Sequence, residues 1–173
     1  MKKLFCLAAL AAFTLGQSMT AQALDASVSV GHTDGSTMTY RLGLQSNWDK
    51  SWWQTSTGRL TGYWDGAYTY WDSSKGSNSN TLSFAPVFVY EFAGDSVKPF
   101  IEAGIGVSVF SSLRVDDDQL GTAFNFEDRI GAGLRFAGGQ EVSIRATHYS
   151  NAGIKEPNDG IQSYSLNYRF PLN

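Results

Sequence analysis

The run Val142-Ser143-Ile144-Arg145-Ala146-Thr147-His148-Tyr149-Ser150 alternates apolar with mostly polar residues, then carries the same register into a histidine and a serine. Side chains of a β-strand change face at every residue, so His148 and Ser150 lie on the face of Val142, Ile144 and Ala146. In a soluble protein that face would be a core with two misplaced polar groups. In a membrane barrel it is a lipid-facing wall bearing a reactive pair.

The opening run sits in a segment covering residues 140–150, and seven others share its period of two. They cover residues 25–33, 37–48, 57–71, 82–92, 97–110, 124–136 and 160–170. Aromatic and branched side chains fill one face, as with Leu82, Phe84, Phe88, Tyr90 and Phe92, or Ile101, Ile105, Val107 and Val109. The opposite register holds Arg41, Arg59, Asp65, Glu91, Glu102, Glu127, Arg129, Glu141, Arg145 and Arg169. A soluble sandwich also alternates, so polarity alone does not settle the environment. Charges of both signs behind an aromatic-rich face suit side chains paired in a narrow lumen, with an apolar band turned to lipid. Eight strands enclose a lumen that side chains fill. The expected fold is all-β: an eight-stranded antiparallel transmembrane β-barrel with a side-chain-filled lumen and no wide pore.

The rest of the composition agrees with export. Lys2-Lys3, the apolar stretch from Leu4 to Leu15 and the small-residue site Ala21-Gln22-Ala23 have the pattern of a secretory signal peptide over residues 1–23. The barrel domain then covers residues 24–173, enough for one domain. No later segment has the roughly 20 continuous apolar residues of a transmembrane helix. Cys6, the single cysteine, lies in the leader, so the exported chain is expected to carry no disulfide and no thiolate metal site. The full chain has a net charge of -3, which becomes about -5 without Lys2 and Lys3. Nucleic acid is not an expected partner.

Small outer-membrane barrels have short periplasmic turns and longer external loops. The connections near 49–50, 93–96 and 137–139 read as short, and those at 72–80, 111–121 and 151–159 as longer. The seventh strand therefore runs outward, and His148 and Ser150 face the outer leaflet of a Gram-negative outer membrane. That leaflet is built of lipopolysaccharide, whose lipid A carries ester-linked acyl chains.

Serine needs a base within hydrogen-bonding reach, and the base needs an orienting group. Strand rise alone puts the Cβ atoms of His148 and Ser150 roughly 6 to 7 Å apart on one face. If residues 151–159 close a hairpin, Gln162 falls opposite His148, where its carbonyl can accept from Nδ1 and leave Nε2 for Ser150. Asn151 and the backbone amide of Gly153 lie just beyond the serine, placed to donate to a developing oxyanion.

The stretch His148-Tyr149-Ser150-Asn151-Ala152-Gly153, followed by Pro157-Asn158-Asp159-Gly160-Ile161, resembles the outer-membrane lipid A 3-O-deacylases of the PagL type. The likeness extends through Thr39-Tyr40-Arg41-Leu42-Gly43-Leu44 and Phe126-Glu127-Asp128-Arg129-Ile130-Gly131-Ala132-Gly133. The resemblance implies His148 as base, Ser150 as nucleophile, and Asn151 with Gly153 at an oxyanion hole. It implies lipid A as substrate, hydrolysis of the 3-hydroxyacyl ester at position 3, and no cofactor or metal. The family pattern has a glutamate where this chain has Gln162, an amide that can orient a ring but brings no charge. Glu156 and Asp159 in the adjoining loop are the alternative sources of that charge.

Two other readings compete: a non-catalytic small barrel serving adhesion or envelope structure, and a lipid A acyltransferase. Pairing of two barrels into a homodimer is left open. His32 reads as a rim residue, Asp116-Asp117-Asp118 as a solvated acidic run, and Trp52-Trp53 as a periplasmic interface anchor.

Overall fold

A computed structural model describes residues 24–35 and 37–172, and the expected leader lies outside the described residues. The strands are β1 (Leu24–Thr33), β2 (Met38–Asn47), β3 (Gly58–Asp72), β4 (Ser79–Phe92), β5 (Val97–Phe110), β6 (Arg114–Val115), β7 (Asp118–Gln119), β8 (Phe124–Phe136), β9 (Glu141–Ser150) and β10 (Ile161–Pro171). Eight of them close a barrel in the order β1-β10-β9-β8-β5-β4-β3-β2, every pair antiparallel. The remaining two, β6 and β7, form a small hairpin of their own. The eight-stranded barrel read from the alternation is the observed fold, and closure leaves the sheet without an edge.

The interior is polar and the exterior apolar, the reverse of a soluble core. Ile105, Ile130 and Ile144 are 65–67% exposed, whereas Asp65 and Glu127 are fully buried. Charges removed from water are costly unless paired and hydrogen-bonded, and here they are. Asp65 meets Arg41 at 2.7 Å, Arg129 at 2.9 Å and the Gln45 amide at 3.0 Å, while Glu127 faces the same two arginines. Further along the lumen Arg145 pairs with Glu102 at 2.8 Å, and the Tyr63 hydroxyl donates to the same carboxylate at 2.7 Å. A third group joins Arg169 to Asp25 and Glu141, and Arg135 to Glu141 and Glu91. These networks plug the barrel.

Two expectations about connections change. The turn expected near 49–50 spans residues 48–57, folded back through a bridge between Trp52 and Leu60. Trp48 packs edge-on against Trp52 and Phe88 at 6.0 and 5.0 Å, so the aromatic belt here includes Trp48, while Trp53 stands 75% exposed. The connection after β3 is shorter than expected because Ser79 and Asn80, polar enough to read as loop, pair with Trp71 and Tyr70.

The long connection between β5 and β8 turns inward. Its β6–β7 hairpin sends Val115 and Leu120 into a buried cluster with Trp71, Phe110, Tyr149 and Ile161 at one mouth of the barrel. That cluster is a lid for the polar lumen.

Candidate functional site

His148 and Ser150 end β9 on its outward face, both partly exposed, where the loop of residues 151–160 begins. Tyr149 between them turns inward and is 3% exposed, its ring edge-on to Trp71 and Phe110 at 5.3 Å each. The aromatic cluster thus grips the strand from inside at the residue between the two site side chains. Their presentation is rigid because Tyr149 cannot turn out without opening the lid.

Gln162 pairs directly with His148 across β9 and β10, as the hairpin register predicts. Its amide nitrogen lies 2.7 Å from His148 Nδ1. An amide nitrogen only donates, so in this arrangement Nδ1 accepts and the ring proton sits on Nε2. A half-turn of the amide presents the carbonyl instead, moves the proton to Nδ1 and frees Nε2 to accept from Ser150. The expected contact is therefore made with the opposite polarity. Among the described residues no hydrogen bond joins His148 to Ser150 in this state.

The loop is built around Asn151, which is fully buried. Its side-chain nitrogen donates to the carbonyls of Leu120 and Lys155, both at 2.7 Å, and its backbone amide donates to Asn158 Oδ1 at 3.0 Å. Both side-chain hydrogens are thus engaged, and Asn151 fixes the loop to the β6–β7 hairpin. Gly153 is freer. It has φ +77°, its amide has no recorded acceptor among the described residues, and a side chain there would meet nothing within 4 Å. Ala152 before it also adopts a left-handed backbone, at φ 54°.

Three features were not read from the sequence. Gly160 has φ +75°, and a Cβ on it would come within 2.8 Å of His148 Cε1, so the ring packs under a bare backbone. Asp128 of β8 pairs directly with His148 from the other side. A carboxylate in the lipid-facing register between Phe126 and Ile130 was the available signal. Finally, Asp159 accepts from the Gln119 amide at 2.8 Å and its own amide donates back to the Gln119 carbonyl at 3.0 Å. It staples two loops together, while Glu156 is exposed and has no recorded contact with His148 among the described residues.

Nor is the acidic run simply solvated. Asp116 is 7% exposed and accepts from Thr37, Ser73 and the Lys75 amide, the last at 3.2 Å. Burial works to raise its carboxyl, but those hydrogen bonds outweigh burial and hold it below the ordinary range. Asp117 pairs with Lys75 at 3.1 Å. Burial and the nearby carboxylates of Asp34, Asp159, Asp117 and Asp116 push Asp118 up. The run latches the hairpin onto the neighbouring loops. His32 stacks obliquely on Tyr164 at 6.0 Å and sits at the rim.

Comparison with known proteins gives one consistent match. The family model for Lipid A 3-O-deacylase (PagL) matches residues 37–171. A relative from Pseudomonas aeruginosa, the lipid A deacylase PagL, is 66% identical over 173 residues, covering 99% of this chain and 100% of the relative. The corresponding protein of Bordetella bronchiseptica is 46% identical over 71 residues, 41% of this chain and 40% of that one. The crystal structure of the outer membrane enzyme PagL superposes with TM-score 0.83 at 69% identity, covering 86% of this chain and 99% of the other. A designed transmembrane β-barrel at 14% identity reaches 0.50 and shares the fold alone, covering 89% of this chain and 98% of its own. The chain is thus an outer-membrane β-barrel that belongs to the lipid A 3-O-deacylase (PagL) family.

Proposed function

We propose that this protein hydrolyses the ester-linked 3-hydroxyacyl chain at position 3 of lipid A, with Ser150 as nucleophile and His148 as general base. The observation that carries the reading is the pair's position: two residues apart on the lipid-facing wall, at the end where β9 meets the long loop. Family membership supports the substrate class.

Ser150 Oγ attacks the acyl carbonyl carbon, and its proton passes to His148 Nε2. The negative charge on the carbonyl oxygen is met by the free amide of Gly153, with Asn151 contributing by holding the loop in place. On collapse the ester C–O bond breaks, and the proton on Nε2 goes to the departing sugar oxygen. Water then attacks the acyl-serine, delivers its proton to Nε2, and releases the fatty acid as Ser150 regains a hydrogen. Gln162 orients the ring with its carbonyl toward Nδ1. The acyl chain lies along the wall below, where Ala146 is flanked by Ile130 and Tyr164 and leaves a shallow apolar depression.

Mass spectrometry of lipid A from cells expressing the wild type or Ser150→Ala tests this. The wild type should remove one ester-linked hydroxyacyl chain and the variant none. An unchanged profile with folded wild-type protein in the membrane overturns the hydrolase reading, and an added acyl chain would make it a transferase.

A further inference from the structure

Cleavage of an ester at position 3 of a glucosamine brings that sugar ring beside Ser150, so the wall around the catalytic pair must carry the sugar as well as the acyl chain. The reacting groups of β9 and the depression at Ala146 account only for the ester and the chain. The rest of the substrate can extend over β8 on one side, or over β10, β1 and β2 on the other. The two sides carry different chemistry.

Heights on the wall follow from positions counted from the periplasmic end of each strand. His148 is the eighth residue of β9, Tyr164 the eighth of β10, Tyr40 the eighth of β2 and His32 the ninth of β1. All four face outward, with Tyr164 and Tyr40 48% and 46% exposed. Tyr164 pairs directly with His32, their rings 6.0 Å apart and tilted by 44°, and Tyr40 pairs with Val30 on the same face of β1. His32 Nδ1 stands 2.9 Å from the Thr33 carbonyl oxygen and donates to it, which leaves Nε2 as an exposed acceptor. The hydroxyls of Tyr164 and Tyr40 have no hydrogen-bond partner among the described residues. Three polar heads therefore stand free at the height of the catalytic histidine.

The other wall differs. Beyond Asp128, which borders the histidine on β8, the ninth residues of β5, β4 and β3 are Ile105, Phe84 and Gly66, none with a polar head. The outward tyrosines of β3, Tyr68 and Tyr70, stand higher, at the eleventh and thirteenth positions. Their hydroxyls are already engaged: Tyr68 donates to Asn80, and Tyr70 accepts from Asn78. An aromatic girdle accounts for tyrosines at the membrane surface. It does not account for a run of free polar heads level with the site and confined to β10, β1 and β2.

We propose that Tyr164, His32 and Tyr40 form a shelf that holds the disaccharide of lipid A, which runs from Ser150 across β10 and β1 towards β2. Three strand spacings separate β9 from β2, about 14 Å, wide enough for two linked sugar rings. The C–H face of a sugar packs on the tilted rings of Tyr164 and His32, whose electron-rich faces favour such contact. The two tyrosine hydroxyls and His32 Nε2 then hydrogen-bond the hydroxyl groups of the sugars. No bond forms or breaks on the shelf; it binds and orients. This rests on the serine–histidine reading above.

The test is steady-state kinetics with purified full-length protein folded in detergent and lipopolysaccharide as substrate. Tyr164→Phe, His32→Phe and Tyr40→Phe keep the rings and remove only the polar heads. Each should raise KM about 2- to 5-fold, and the triple variant at least about tenfold, with kcat changed by less than about twofold. Phe84→Leu, an aromatic loss at the same height on the opposite wall, should leave KM within about twofold of the wild type. An unchanged KM in the triple variant overturns the proposal, and so does an equal rise in Phe84→Leu, which would trace the effect to partition of the barrel into micelles. A fall in kcat with KM retained also overturns it and makes these residues props for the catalytic pair. If the triple variant does not fold, judged by the gel mobility of unheated barrel, the single variants decide between the same outcomes. Ser150→Ala runs alongside: activity retained there sinks the serine–histidine reading itself rather than the shelf.

Discussion

Gly160→Ala puts a single methyl group against the ring of His148. The new Cβ would lie 2.8 Å from His148 Cε1, 3.6 Å from Nε2 and 3.4 Å from the Tyr149 carbonyl oxygen, at φ +75°. Carbon atoms in contact prefer about 3.5–4.0 Å, so the ring must retreat by roughly 1 Å. A displacement of that size at a reacting group is enough to cost ~100-fold in rate. The left-handed backbone adds a stability cost of about 1–2 kcal/mol for any residue with a Cβ. Gly139→Ala separates the two effects. It has φ +81° and a Cβ 2.9 Å from Pro171 Cγ, a similar strain at the opposite end of the barrel. Both variants should lose comparable thermal stability, read as the temperature at which the folded gel band disappears. Only Gly160→Ala should lose deacylation of lipopolysaccharide in micelles, by at least about tenfold. Equal activities in the two variants would refute the argument that the bare backbone at 160 makes room for a working histidine.

Other consequences follow from the same contacts. Gln162→Ala should reduce kcat by about tenfold or more through loss of ring orientation; full activity would remove Gln162 from the site. Asp65→Asn leaves Arg41 and Arg129 with one buried carboxylate between them and should cost about 3–5 kcal/mol in urea unfolding from lipid vesicles, followed by tryptophan fluorescence. Asn151→Ala orphans the carbonyls of Leu120 and Lys155 at about 1–3 kcal/mol each, and should appear as faster protease cutting within residues 151–160. Asp116 has a folded-state carboxyl held below its ordinary 3.8. Its contribution is complete above that value and is lost as pH falls through the lower folded one. Hydrogen exchange at the β6–β7 hairpin should therefore quicken in strong acid, and Asp116→Asn should show the fast exchange already at neutral pH.

The walls of this protein were legible in its sequence because period two is a local property. Each residue's neighbours two positions away identify its face, so inward charges such as Glu127 and Arg145 and outward Ile130 and Ile144 could be assigned strand by strand. Register across a hairpin is nearly as local, which is why Gln162 was found opposite His148. The same reasoning on the three-residue turn 137–139 sets Phe136 opposite Gln140, and so Asp128 opposite His148. What the sequence could not carry was any contact between loops distant along the chain. The β6–β7 lid, the Asp116 latch, the hold of the Leu120 carbonyl on Asn151 and the staple between Asp159 and Gln119 all join loops whose relative positions exist only once the barrel has closed. Alternation and hairpin register therefore determined the barrel, the lipid-facing pair and its neighbours on the adjoining strands, whereas closure decided which distant loops brace that pair. Long-range contacts depend on the placement of whole strands, and no local pattern encodes it.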